Sequence, residues 1–317
     1  MAIKLGFRKS AQTGELSSIR RIKPLLSLPL FFLCWIAFHG ATAQSSDSIR
    51  QTDITFTSEG VILAGTLISP SDPQAAIVLV HGSGQEKRMT RFAERLATHG
   101  ITVLTYDKRG VGASGGTYAG PEVGTNNVDS ANLSLLAKDA SAAVNKLQEL
   151  AQDLPIGLIG SSQAGWIIPI AATLNPSVDF MVVFSGPTIT SLEQLRFQFH
   201  TNGDLNYWET HSEAEAREHI KNDPDRFEFT ATDPKNSLTN LAIPGLWLYG
   251  AKDIQVPAQL CIEQLTTLKS QGKPFEYRLY SNLGQNTATT SDPTPVEDAM
   301  LWIKQNVLEY KKSSKSK

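Results

Sequence analysis

The sequence predicts an α/β protein, a mostly parallel, doubly wound sheet with helices on both faces and a small helical insertion. Three observations lead there. Ala75 to Val80 and Val178 to Phe184 are largely apolar runs of strand length, as expected of strands buried on both faces. Such runs alternate with segments of helical periodicity across most of residues 54–310, without internal repeats. Ile156 to Ala172 reads as a strand that turns through glycine and serine into a helix packed under the sheet.

The chain opens with a basic stretch, Lys4, Arg8, Lys9, Arg20, Arg21 and Lys23, followed by an apolar run from Leu25 to Phe38. Ser27 and Pro29 interrupt that run, which is short for a membrane span. Ala41-Thr42-Ala43 supply the small residues of a cleavage site, so residues 1–43 are expected to be a signal peptide on an exported protein, periplasmic or secreted. No stable membrane insertion is expected after cleavage. The leader holds six of the 29 basic residues and one of the 31 acidic ones, so the remaining 274 residues carry a net charge of −7. That sign argues against a nucleic-acid partner. Cys261 becomes the one cysteine left, which excludes an internal disulfide and puts the burden of stability on a large core. The lysines from Lys311 to Lys317 read as a solvated end.

Ile54 to Ser69 alternates in places around Glu59-Gly60, the pattern of an edge hairpin. Ala75 to Val80, Ile101 to Tyr106, Ile156 to Ile159, Val178 to Phe184, Pro244 to Tyr249 and Phe275 to Tyr280 follow as strands. Helices are expected over Arg91 to His99, Leu133 to Leu150, Pro257 to Gln271 and Pro295 to Tyr310, with a glycine-rich loop from Gly115 to Asn132. Between Thr188 and Leu241 the alternation lapses into two helical segments, Ser191 to His200 and Tyr207 to Lys221, and a polar stretch. The expected organisation is a core of residues 44–187 and 242–317 carrying a helical cap over 188–241.

Four loops carry the chemistry. In Gly160-Ser161-Ser162-Gln163-Ala164-Gly165, Ser162 stands between small residues at minus two and plus two. A nucleophile elbow needs that pattern, because its strained turn brings the neighbours too close for larger side chains. His81-Gly82-Ser83-Gly84 follows the third strand, Asp107 to Ser114 follows the fourth, and Gly250-Ala251-Lys252-Asp253-Ile254-Gln255-Val256-Pro257 follows a later one. Together, and in this order, they resemble the α/β-hydrolase superfamily, in particular exported bacterial serine esterases and peptidase-like hydrolases with a small cap. The resemblance spans about Ile54 to Tyr310. It implies an α/β-hydrolase fold with Ser162 as nucleophile, Asp253 as the acid of a triad, and the backbone N–H groups of Ser83 and Gln163 as an oxyanion hole. It implies bracing roles for His81, Asp107 and Arg109.

The pattern breaks at the base. The family's histidine follows the last strand, yet the six histidines lie at 39, 81, 99, 200, 211 and 219, all before Asp253. Gln285 occupies the aligned position, and an amide cannot take a proton from Ser162 near neutral pH. Three accounts stand open: a carboxylic-ester hydrolase whose base has been replaced, naturally or by engineering; an inactive protein that uses the pocket to bind a small apolar ligand; or a base dipping from the cap, at His200, His211 or His219. The cap aromatics Phe197, Phe199, Tyr207, Trp208, Phe227 and Phe229 would either line an apolar lid or anchor cap to core. Gly110 to Gly115 spells G-x-G-x-x-G, but it leads into a polar loop instead of opening a helix, so no dinucleotide is expected. No metal-ligand spacing occurs, and no cofactor is expected. The expected partner is a small ester or related acyl substrate.

Overall fold

The chain enters its sheet through a hairpin. Strands β1 (Arg50–Ser58) and β2 (Val61–Ser69) pair antiparallel across Glu59 and Gly60. Both turn residues have positive φ, 48° and 73°, the twist that a two-residue hairpin connection requires. A computed structural model describes residues 48–120, 125–224 and 228–309. The expected leader, Phe227, the end of the last helix at Tyr310 and the basic tail lie outside the described residues.

Six further strands complete the sheet: β3 (Ala75–Val80), β4 (Ile101–Tyr106), β5 (Ile156–Ser161), β6 (Phe180–Phe184), β7 (Gly245–Gly250) and β8 (Phe275–Tyr280). Their order is β1-β2-β4-β3-β5-β6-β7-β8. From β4 to β8 every neighbouring pair is parallel, while β2 meets β4 antiparallel. The helices α1 (Thr90–Ala97), α2 (Thr125–Val128), α3 (Ser130–Leu150), α4 (Ala164–Leu174), α5 (Ser191–Thr201), α6 (Tyr207–Thr210), α7 (Glu213–Asn222), α8 (Lys235–Leu238), α9 (Ala258–Ser270) and α10 (Thr294–Ile303) fill the connections.

Strand alternation sorts the core into two layers. In β3, Ala76, Val78 and Val80 face the layer of α3, α4 and α9, while Ala75, Ile77 and Leu79 face α1 and α10. With all loops after the parallel strands emerging at one edge, Gly82, Asp107, Ser162, Asp253 and Gln285 are carried to the same end of the sheet.

Local chemistry moved two boundaries. α3 begins at Ser130, ahead of Leu133, because Asp129 caps it by accepting from the Ala131 N–H at 2.9 Å. The single helix expected over Tyr207 to Lys221 is two, α6 and α7, because Ser212 starts a new one. Its hydroxyl accepts from the Glu215 N–H at 3.2 Å while the Glu215 carboxylate accepts from the Ser212 N–H at 2.7 Å. Residues 188–241 also pack in two places. Leu238 and Leu241 join the α3–α4 layer, whereas Phe197, Tyr207, Ala216 and Ile220 cluster with Ile254. Among the described residues no helix is long and apolar enough to cross a membrane.

Candidate functional site

Ser162 sits at the top of β5 with φ of 52°, a left-handed conformation that a non-glycine residue holds at about 1–3 kcal/mol. The surroundings enforce it. The Ser162 N–H donates to the Phe184 carbonyl at 3.0 Å and its own carbonyl accepts from the Gly165 N–H at 2.8 Å. A Cβ on Gly160 would fall 2.5 Å from both the Ala164 Cβ and the Val80 carbonyl oxygen. One on Gly165 would fall 2.6 Å from the Pro187 backbone, so each flanking position must stay small.

The loop after β3 runs against the elbow: a Cβ on Gly82 would lie 3.3 Å from the Ser161 carbonyl oxygen and 3.6 Å from the Ser162 Cβ. Ser83 and Ser162 line one cleft. Gln163 is buried, and among the described residues nothing accepts from its N–H or from that of Ser83. His81 is buried behind the loop, donating from Nε2 to the Tyr106 carbonyl at 2.6 Å, and burial lowers its pKa to about 3. It is a neutral brace. Asp107 accepts from Arg88 at Nε and Nη2, at 3.3 and 3.1 Å, and from the Ala113 N–H at 2.9 Å. Arg109 forms a buried two-point pair with Asp139, Nε to Oδ2 at 3.0 Å and Nη2 to Oδ1. Arg88 and Asp139, which complete these braces, stand far from their partners in the chain and carry no local sequence signal.

Across the cleft, Asp253 is buried after β7. Its Oδ1 accepts from the N–H groups of Gln255 and Val256 at 2.8 and 2.9 Å. Burial raises its pKa to about 7, opposed by those two donors. The Gln285 amide can be placed two ways, and hydrogen bonding decides between them. With nitrogen toward the carboxylate it donates to Asp253 Oδ1 at 2.9 Å and to Oδ2, and its oxygen accepts from Ser162 Oγ at 3.1 Å. The reverse sets the amide oxygen against the carboxylate and leaves the nitrogen a 3.5 Å contact with the Ser185 carbonyl. Gln285 therefore bridges acid and serine.

Residues 71–236, more than half of the chain, match the family described as "Serine aminopeptidase, S33". The chain belongs to this family. Like other members of this serine-hydrolase family it has an α/β-hydrolase fold. An acylaminoacyl peptidase of Pyrococcus horikoshii superposes with a TM-score of 0.58 at 16% identity, covering 82% of this chain. This chain spans only 42% of that peptidase. An esterase of Pyrococcus furiosus gives 0.58 at 18% identity, covering 81% of this chain and 91% of its own. The acetyl xylan esterase from Paenibacillus sp. R4 gives 0.56 at 17%, covering 84% and 86%. At such identities the likeness is one of fold. No curated protein sequence matches the chain.

In this serine aminopeptidase-family chain, a cleft of about 290 Å³ holds Ser162. Its wall carries the carboxamides of Gln194, Gln198, Gln255, Gln285 and Asn286, the carboxylate of Glu86 and the Trp166 ring. Among the described residues none of the expected lid aromatics lines it. Phe197 and Tyr207 are buried in the cap cluster, Phe229 packs on the α3–α4 layer and Phe199 is half exposed on the outside. Phe197, Tyr207 and Phe229 thus pack the cap and its base, and the cleft sets its amides beside the apolar side chains of Val128, Leu195 and Val256.

The cap histidines also turn away. His200 stacks on His219 with ring centroids 3.5 Å apart, His211 stacks on Tyr207 at 4.4 Å, and none lines the cleft. Three other cap side chains grip the acid loop. Trp208 Nε1 donates to the carbonyl of Asp253 at 2.7 Å, Thr201 Oγ1 to that of Ile254 at 2.6 Å and Gln194 Nε2 to that of Gln255 at 2.8 Å. Sequence reasoning missed this clamp. It also missed Lys108, whose charged side chain is 2% exposed.

Proposed function

We propose that this protein is a serine hydrolase for carboxylic esters that works through an acyl-enzyme at Ser162 and is impaired by Gln285. The observation that carries the reading is the Gln285 amide, bonded to both Asp253 and Ser162 where a base would stand. In the reaction, Ser162 Oγ attacks the ester carbonyl, whose oxygen gains charge facing the N–H groups of Ser83 and Gln163. The alcohol leaves, and water then hydrolyses the acyl-serine. The Oγ proton finds a hydrogen-bond acceptor in the Gln285 oxygen but no base, so the proton passes to solvent and the step is slow.

The amide-lined cleft favours substrates whose acyl or alcohol part carries hydroxyl or carbonyl groups. A buried amide facing a purely apolar chain would lose its hydrogen bonds to water without replacement. The same satisfied Ser162–Gln285–Asp253 network favours a second reading, a catalytically inactive protein that binds such a ligand. Export by way of residues 1–43 is part of the proposal, resting on their sequence pattern.

The test is p-nitrophenyl acetate hydrolysis by the parent, Gln285→His and Ser162→Ala. The histidine variant is expected to exceed the parent on the order of 10³-fold, and Ser162→Ala to abolish turnover. A fast parent would place the base elsewhere, and an absence of serine-dependent turnover in both would favour the binding protein.

A further inference from the structure

The end of β4 hides a lysine. Lys108 follows Asp107 and precedes Arg109, a run of charges that would ordinarily lie in water, yet its side chain is buried. Its ammonium donates to the Gly82 carbonyl at 2.6 Å, the Gly84 carbonyl at 3.1 Å and Gln163 Oε1 at 3.1 Å. These acceptors belong to the two segments that would supply the oxyanion hole.

The geometry of a peptide unit gives these bonds a consequence. In a trans peptide the carbonyl of one residue and the N–H of the next point in opposite directions. A cation held on the Gly82 carbonyl therefore fixes the direction of the Ser83 N–H and draws electron density from it, making it a stronger donor. The Gly84 carbonyl, bonded to the same nitrogen, closes the loop around Ser83. On the elbow, the Gln163 side chain is clamped between Lys108 and Asn127, donating from Nε2 to the Asn127 carbonyl at 2.7 Å and to Oδ1 at 3.0 Å. The residue carrying the second donor is thereby immobilised through its side chain.

We infer that Lys108 is a positioning residue for the oxyanion hole: its ammonium ties the loop of Gly82 to Gly84 to Gln163 and aims and polarises the Ser83 N–H. The inference rests on the reading of Ser83 and Gln163 as oxyanion donors.

The test compares Lys108→Met, which keeps the length and packing of the side chain, with its parent in the Gln285→His background. Turnover of p-nitrophenyl acetate is expected to drop about 10–10²-fold in kcat with KM within about twofold, since the donors act on the charge that develops after binding. A role in stability alone would leave kcat of the folded fraction unchanged, and that result overturns the inference. Amide hydrogen exchange, which needs no turnover, is expected to speed up in Gly82 to Gly84 and around Gln163 while β6 and β7 stay protected. If Gln285→His shows no serine-dependent activity, the proposed function fails by itself. Exchange then decides the lysine: selective loosening supports the tie, and unchanged protection of both segments overturns it. Should Lys108→Met not fold, Lys108→Arg, which keeps the cation but displaces its donors, takes its place under the same criteria.

Discussion

Around Ser162 the backbone has no room for an alternative, while around Gln285 the same site keeps its shape and lacks a proton acceptor. At the elbow the constraint is steric: Gly160 and Gly165 face backbone atoms 2.5 and 2.6 Å from any added carbon, and φ of Ser162 is held positive. Across the cleft the constraint is hydrogen bonding. Asp253 accepts two backbone N–H groups and the Gln285 amide, and that amide accepts from Ser162. An amide satisfies the same two neighbours an imidazole would, donating one way and accepting the other, but it cannot change its protonation. The geometry of a site and its proton chemistry are thus set by separate choices.

The acid arm offers the largest expected effect. Burial lifts the Asp253 carboxyl from 3.8 to about 7 against its two N–H donors, and the neutral Gln285 amide, a further donor, opposes the rise less than a cation would. The folded chain then holds this proton more tightly than the unfolded chain. Its contribution to stability is full below about pH 4 and is lost as pH rises through about 7, by at most roughly 4 kcal/mol. Urea unfolding of the parent and Asp253→Asn between pH 4 and 8 checks it: the parent should lose ground to the variant across that window. Gln285→His should shrink the slope by placing a cation beside the carboxylate. A flat difference would mean that the amide and the two N–H groups keep the acid ionised, and its burial would then carry no pH-dependent cost.

The elbow arm breaks differently. Gly160→Ala pushes a methyl against the Val80 carbonyl oxygen and the Ala164 Cβ, neither of which can move without shifting β3 or α4. An overpacked site of this kind is expected to lose about 2–3 kcal/mol, independent of pH. Urea midpoints at pH 5 and 8 separate the cases. A loss under about 0.5 kcal/mol would show that the elbow has slack.

This division explains what could be read in the sequence. The strands were legible because Ala75 to Val80 is apolar without interruption and Ile101 to Tyr106 is rich in β-branched residues, and the Glu59-Gly60 turn because glycine takes positive φ freely. The elbow was legible because steric demands act on neighbours two residues away. Gln285 stood out because no histidine follows Asp253. Lys108 was not legible, since its acceptors, Gly82, Gly84 and Gln163, come from loops after two other strands. Arg88 on Asp107 and Arg109 on Asp139 share that long-range character. The break before α7 could have been found, because Ser212 and Glu215 spell a capping box three residues apart. The aromatic residues of the cap were ambiguous for a different reason: apolar periodicity does not say which apolar surface a helix will meet.

The smallest expected effect concerns how the cap holds the acid arm. Trp208, Thr201 and Gln194 donate to the carbonyls of Asp253, Ile254 and Gln255, three consecutive peptide units directly behind the carboxylate. Trp208→Phe removes one of the three and keeps an aromatic ring beside Phe197, on which Trp208 stacks with centroids 5.9 Å apart. One net hydrogen bond is about 1 kcal/mol, and the two remaining donors still fix the loop. The variant is therefore expected to lose about 1 kcal/mol while retaining, in the Gln285→His background, most of its serine-dependent rate. Because the bond falls on the backbone of Asp253 and leaves its carboxylate untouched, the pH dependence of stability should match the parent's. A rate loss as large as that of Lys108→Met would instead mean that the acid loop is shaped mainly by the cap, and the contrast between a sterically built elbow and a hydrogen-bonded acid arm would then extend to the insertion between β6 and β7.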